Sequence, residues 1–160
     1  MDRTGHFGGS LLLFYGILSV VGGGGDTAQT LALSLVAGAI AAAMSVSPDV
    51  DTGLGGIFHR TWITHSLTTV FIATGATYIL FDDIFHAGPL SGYVTLAVLS
   101  ATLSHVLLDS LTRKGVPLFG PFDEKMRGLK WFKSNSLVLN IIFLGAGLAA
   151  AAYYYGLIRF

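Results

Sequence analysis

"PLSGYVTLAVLSATLSHVLL", residues Pro89 to Leu108, contains no Asp, Glu, Lys or Arg. A helix needs roughly 20 mainly apolar residues to cross the hydrocarbon core of a bilayer. This stretch meets that length, so it predicts a membrane-spanning helix with an imidazole, His105, near its end. Ionisable groups within a span mark functional positions by default. The stretch therefore raises two questions: whether the rest of the chain is also a membrane protein, and what else meets His105.

Composition answers the first. Charged residues are 11% of the 160 and hydrophobic residues 52%, with a mean hydropathy of +0.69. A soluble domain carries about 25% charged residues, so this chain lacks the charge to cover a water-facing surface. Four further apolar segments flank the first: 7–25, 27–47, 64–81 and 135–158. The sequence predicts an all-α integral membrane bundle of about five transmembrane helices, organised as a single membrane domain over 1–160. "GGGGD" at 22–26 and "DDIFHAGP" at 82–89 read as short turns. The N-terminal run has no small-x-small cleavage site before Asp26 and reads as a retained span. There is no cysteine, which removes disulfides and thiolate metal sites. The formal net charge of zero gives no case for nucleic-acid binding.

Five spans place alternate loops on opposite sides. The side of the N-terminus collects Arg3, Arg60, Arg113, Lys114, Lys125, Arg127, Lys130 and Lys133, eight of nine basic residues, leaving Arg159 opposite. The positive-inside rule makes the first side cytoplasmic, with the N-terminus in and the C-terminus out. The expected location is the cytoplasmic (inner) membrane.

The metal-capable residues fall on the same side. His6 lies just before the first span, and Asp49 and Asp51 follow the second in "SPDVD". His59 and His65 flank the start of the third in "HRTWITHS", and His105 and Asp109 end the fourth in "SHVLLD". His86 alone of the five histidines lies opposite. Singly, each has a bland explanation: an interfacial His forms an ordinary hydrogen bond, and an Asp caps a helix or shapes a turn. Seven on one side call for a shared reason. His105 and Asp109 stand at i and i+4, about 6 Å apart along one helix face, the spacing with which helical pairs grip an ion. Asp49 and Asp51, one residue apart, point to one side of an extended segment and repel unless a cation lies between them. Thr64 is a candidate N-cap for the third span, which would turn His59 and His65 inward together.

His with carboxylate and no Cys suits a divalent metal, foremost Zn, with Mn, Fe or Ni as alternatives. More than four ligands can hold one or two ions, the latter common in phosphoester hydrolysis. An open ligand position lowers the pKa of a water, with Asp49 or Asp51 as general base. Arg60 suits bidentate anion binding and equally suits pairing with Asp49 or Asp51. "TRKGVPLFGPFDEKMRGLKWFKSN" follows, with basic and aromatic residues interleaved over 112–134. It reads as an ordinary cytoplasmic loop or as a lid over a lipid headgroup, with Arg113 and Lys114 as anion contacts. Gly115, Pro117 and Pro121 suggest a fixed path rather than a loose linker.

The order of an early His, "PDVD", "HRTWITHS" and "SHVLLDSLTRKGVPLFGPF" resembles the YdjM-like family, described as predicted membrane-bound metal-dependent hydrolases. The matching residues are His6, Pro48, Asp49, Asp51, His59, Arg60, Thr64, His65, Ser66, His105, Asp109, Thr112, Gly115, Phe119 and Pro121. The resemblance implies a small helical membrane protein with a metal-hydrolase site. It brings Ser66 and Thr112 in beside Arg60, Arg113 and Lys114 as substrate contacts. The H-x3-D element is also similar to zinc phospholipase C and related nucleases, but no His follows Asp109.

The expected function is a metal-dependent hydrolase at the cytoplasmic membrane edge. Membrane lipid, or another amphiphilic phosphoester, is the expected substrate and partner. The alternative is a non-enzymatic metal-binding scaffold or interaction protein. Ion transport fits poorly, because transporters hold polar groups near the midplane and the first, second and fifth spans have almost none there.

Overall fold

The computed structural model describes residues 1–21, 27–47 and 61–159. The chain forms α1 (Arg3–Val21), α2 (Ala28–Met44), a four-residue α3 (Trp62–His65), α4 (Leu67–Tyr78), α5 (Pro89–Leu111) and α6 (Leu137–Tyr154). A π-helical segment, Ile79–Ile84, extends α4, so the span runs Leu67–Ile84. Four helical stretches are long and apolar enough to cross a membrane, and α2 is a shorter apolar helix of 17 residues. The fold is the helical bundle of about five helices that the sequence predicts.

The ends differ from expectation in three places. α1 starts at Arg3 rather than Phe7, because the Asp2 carboxylate accepts from Gly5 N–H at 3.1 Å and caps the helix. His6 is therefore inside the helix, not ahead of it. Thr64 is not an N-cap. It lies within α3, and its hydroxyl is 2.7 Å from His65 Nδ1. Ser66 takes the capping role: its backbone is extended, and its side chain accepts from Thr69 N–H at 3.2 Å. The turn expected at 82–89 begins late, because Phe85 N–H donates to Leu80 O and Ala87 N–H to Phe81 O, which carries wide helical turns past Asp82.

α5 is the central element, packed against α1, α2 and α4, while α6 lies along the far side of α1. Small side chains allow this: Ala97, Ser100, Ala101 and Ser104 are buried along α5, as expected where helices approach closely in lipid. The closest approach is between α1 and α6, which run parallel. A Cβ on Gly8 would lie 2.2 Å from the Phe143 carbonyl oxygen, and one on Gly147 would lie 2.3 Å from the Gly8 carbonyl oxygen. Backbone meets backbone there, so no side chain can be added. In contrast, Phe71 and Ile72 on α4 and Ile141 and Ile142 on α6 point outward, where acyl chains cover them in a bilayer.

This arrangement brings the start of α1, the end of α2, the start of α4, the end of α5 and the start of α6 to one end of the bundle. Gly5 meets Asn140, and Leu67 N–H donates to Leu118 O across to the 112–134 segment.

Candidate metal centre

Four buried residues from three elements converge at this end. His6 of α1, His65 of α3 and His105 of α5 are fully buried, and Asp109 of α5 is 1% exposed. His105 Nε2 is 3.1 Å from His65 Nε2. Asp109 Oδ1 is 3.4 Å from His6 Nε2, while Oδ2 is 3.5 Å from His65 Nε2 and 4.0 Å from His105 Nε2. The His6 and His105 rings stack at 3.9 Å and 14°. The i, i+4 pair predicted on α5 does share a face. The Met1 α-amine also reaches in, donating to Asp109 Oδ1 and lying 3.1 Å from His6 Nε2.

The distal nitrogens of His105 and His65 are fixed from behind. His105 Nδ1 is 2.7 Å from the Ser45 carbonyl at the end of α2. A carbonyl only accepts, so Nδ1 carries the hydrogen, and in the neutral ring Nε2 presents a lone pair. His65 Nδ1 faces the Thr64 hydroxyl, which can donate or accept. Anchoring the outer nitrogen on a carbonyl or hydroxyl is how metal-ligating histidines are held. Donors around one tetrahedral Zn stand about 3.3 Å apart, given bonds of 2.0–2.1 Å. The observed separations of 3.1, 3.4 and 3.5 Å match that spacing, and 4.0 Å is slightly wide. His6, His105 and Asp109 form a group able to hold a metal ion, with ligand atoms within 4.8 Å of one another. His65 adds a fourth donor to two of its members. The residues present therefore fit a divalent ion.

A family model described as YdjM inner membrane protein matches residues 1–159. The chain belongs to the YdjM family. No curated protein and no solved structure matches it. The YdjM match spans every element that reaches the cluster, from His6 to the start of α6.

Of the other residues singled out in this YdjM-family chain, Asp49, Asp51, His59 and Arg60 lie outside the described residues, as does Pro48. Ser66 is fully buried and engaged as the α4 cap. Thr112 is 1% exposed, and its hydroxyl donates to Asp109 O at 2.8 Å, ending α5 beneath the carboxylate. Arg113 and Lys114, with Thr112, line a small cavity of about 190 Å³ that also takes Lys133, Ser134 and Asn135.

The 112–134 segment is docked rather than loose. Arg113 N–H donates to Phe132 O, Phe132 N–H to Leu111 O, and Val116 and Arg127 exchange two backbone hydrogen bonds. Val116 is fully buried against Val70 and Val106. The Thr68 hydroxyl donates to Gly120 O at 2.6 Å, so the segment is tied to α4 as well as α5. Outside the membrane, the Arg127 guanidinium bonded to Asp123 holds that carboxyl below the usual carboxylate range.

Sequence reasoning missed Ser45, which contributes a carbonyl that any residue type could supply and so leaves no signal. Thr64 was visible, but as a cap rather than as the support of His65. Lys133, Ser134 and Asn135 could have been found by asking which residues precede α6, because its start lies at the same end as the close of α5.

Proposed function

We propose that this chain is a membrane-embedded metal-dependent hydrolase, acting at the cytoplasmic membrane edge on the phosphoester of a lipid or similar amphiphile. One observation carries the reading: three buried imidazoles converge on one buried carboxylate, with the outer nitrogen of His105 pinned to a carbonyl. Burying so many ionisable groups without purpose is costly. His6, His65, His105 and Asp109 would hold the ion, with Zn the best fit and Mn or Fe as alternatives. Such an ion supplies Lewis acidity and activates water at neutral pH. The cavity lined by Arg113, Lys114 and Lys133 beside the end of α5 suits the phosphate of the substrate. Asp49 and Asp51 keep the general-base role expected from sequence, and Arg60 that of anion clamp. Cytoplasmic placement is supported by the basic residues of 112–134 at the end of the bundle that carries the cluster.

A second reading, a non-enzymatic metal-binding scaffold, is favoured by the donor count. Four protein donors make the closed set typical of structural sites, whereas catalytic sites leave a position open.

Metal analysis of wild type and Asp109→Ala, joined to a panel of lipid and soluble phosphoesters, tests both. The hydrolase predicts bound divalent metal in the wild type. In the variant, metal affinity should fall by more than the roughly 10–100-fold typical of supporting residues, and hydrolysis should be lost with it. Metal-free protein with undiminished hydrolysis would sink the metal centre. Bound metal with no hydrolysis across the panel would assign the scaffold.

A further inference from the structure

An apolar groove of about 690 Å³ runs along α1 from Gly9 to Val21. Leu12, Leu13 and Ile17 line it from α1, Leu107 and Leu111 from the last turns of α5, and Leu129 from the docked segment. Two serines border it, but both turn away: Ser104 Oγ donates to Ala101 O, and Ser110 Oγ to Leu107 O. Gly16 leaves room along its floor, whereas Gly9 lets Leu108 pack close to α1. A Cβ on Gly16 would have no atom within 4 Å, so this part of the groove is open.

Both the position and the length of the groove bear on its occupant. In its α5 wall, Ser104 directly precedes His105 and Leu108 directly precedes Asp109. On α1, His6 stands at i−7 from Leu13 and i−11 from Ile17, one helical face. The groove therefore starts beside the metal centre. It continues for about 18 Å along α1, taking 1.5 Å per residue, close to the roughly 15 Å depth of one leaflet's hydrocarbon. At the same end, Leu129 sits between Arg127 and Lys130 in sequence, and Lys130 N–H and Phe132 N–H hold this stretch on the Ser110 and Leu111 carbonyls. Arg127 is paired with Asp123, which leaves Lys130 as the cation next to Leu129, and an apolar slot one leaflet deep with a lysine at its polar end matches a chain carrying a negative head.

We infer that the groove between α1 and α5 seats one acyl chain of an anionic glycerophospholipid, with its phosphate at the docked basic segment, on the end of the bundle that carries the His6–His65–His105–Asp109 cluster. The inference rests on the hydrolase reading above and names its substrate class. It also gives α1 a second role, since the helix that supplies His6 also lines the path of the acyl chain.

The decisive experiment places the protein in nanodiscs of phosphatidylethanolamine with phosphatidylglycerol carrying a photoactivatable diazirine on one acyl chain, and maps the cross-links. Labelling is expected to concentrate on Leu12–Val21 and Ser104–Leu111, above the level on the outward face of α4 at Phe71 and Ile72. Gly16→Phe puts a ring into the groove from a position where the added Cβ meets nothing within 4 Å. It should cut groove labelling severalfold and leave α4 labelling and bound metal unchanged. Gly16→Leu repeats the measurement with a smaller side chain if the first variant fails to fold. Equal labelling of groove and α4, insensitive to both variants, would overturn the inference. So would a shift from dimer to monomer in either variant without loss of lipid labelling, which would assign the groove to a second copy. The readout needs no turnover. Groove labelling without phosphoester cleavage keeps the lipid site and removes the hydrolase, whereas cleavage with uniform labelling removes the groove.

Discussion

Two polar clusters lie inside this apolar bundle, and they are built on opposite principles. At one end, His6, His65, His105 and Asp109 bring nitrogen and oxygen lone pairs together. Toward the other, Tyr15, Ser34 and Tyr155 tie α1, α2 and the end of α6. The Tyr15 and Tyr155 hydroxyls are 3.0 Å apart, Ser34 Oγ is 3.0 Å from Tyr155 Oη, and Tyr15 donates to Ser34 O at 3.3 Å. Along α6, Asn140 and Tyr155 are separated by about 22 Å at 1.5 Å per residue. A hydroxyl both donates and accepts, so these three join one another through Tyr155 and donate onward to the Ser34 and Leu31 carbonyls. Imidazoles set against a carboxylate close only around a proton, an ammonium or a metal, and the Met1 α-amine already donates to Asp109 here. The hydroxyl cluster is complete as folded. The histidine cluster is a receptacle for positive charge.

That contrast can be broken by experiment. The largest effect after loss of Asp109 itself should come from Thr64→Val, which keeps the shape of the side chain and removes the hydroxyl behind His65. Metal affinity should fall by roughly 10–100-fold with little change in the unfolding temperature of the metal-free protein. Unchanged affinity would show that His65 needs no support, or is no ligand. Gly38→Val acts on the other cluster. Its Cβ would lie 2.3 Å from the Tyr15 hydroxyl, displacing it from both partners. Overpacking of this kind costs about 1–3 kcal/mol, read as reduced stability in detergent with metal binding retained. Tyr155→Phe is the gentlest probe. It removes two hydrogen bonds, each worth about 0.6 kcal/mol between membrane helices, so a loss near 1 kcal/mol with unaltered metal content is expected. If either of these variants also expelled metal, the two clusters would be one coupled system rather than separate devices.

The fold was legible because hydrocarbon thickness imposes a length that apolar runs report directly. The end of the bundle carrying His105 was legible because five alternating spans bring every second helix end together. Local detail was less so. Ser66 and Thr64 are both good capping residues, and sequence cannot tell which of two neighbouring hydroxyls an imidazole will recruit. The hydroxyl cluster gave no periodic signal, since Tyr15, Ser34 and Tyr155 are far apart in the chain. The parallel contact of α1 with α6 is carried by Gly8 and Gly147, ordinary among 21 glycines. The fixed path expected from Gly115, Pro117 and Pro121 is met by a docked segment, but its anchorage to α4 through Thr68 depends on a backbone carbonyl and could not be read.

The close contact of Gly8 with α6 bears on how the cluster comes into being during synthesis. His6 emerges first, His105 and Asp109 come with the fourth long apolar stretch, and the surface that braces α1 arrives only with the last. Until α6 is inserted, α1 is braced by α5 and α2 but lacks the backbone contact at Gly8. All four ligands exist once Asp109 is made, and the final span adds the backbone contact that completes the bracing of α1.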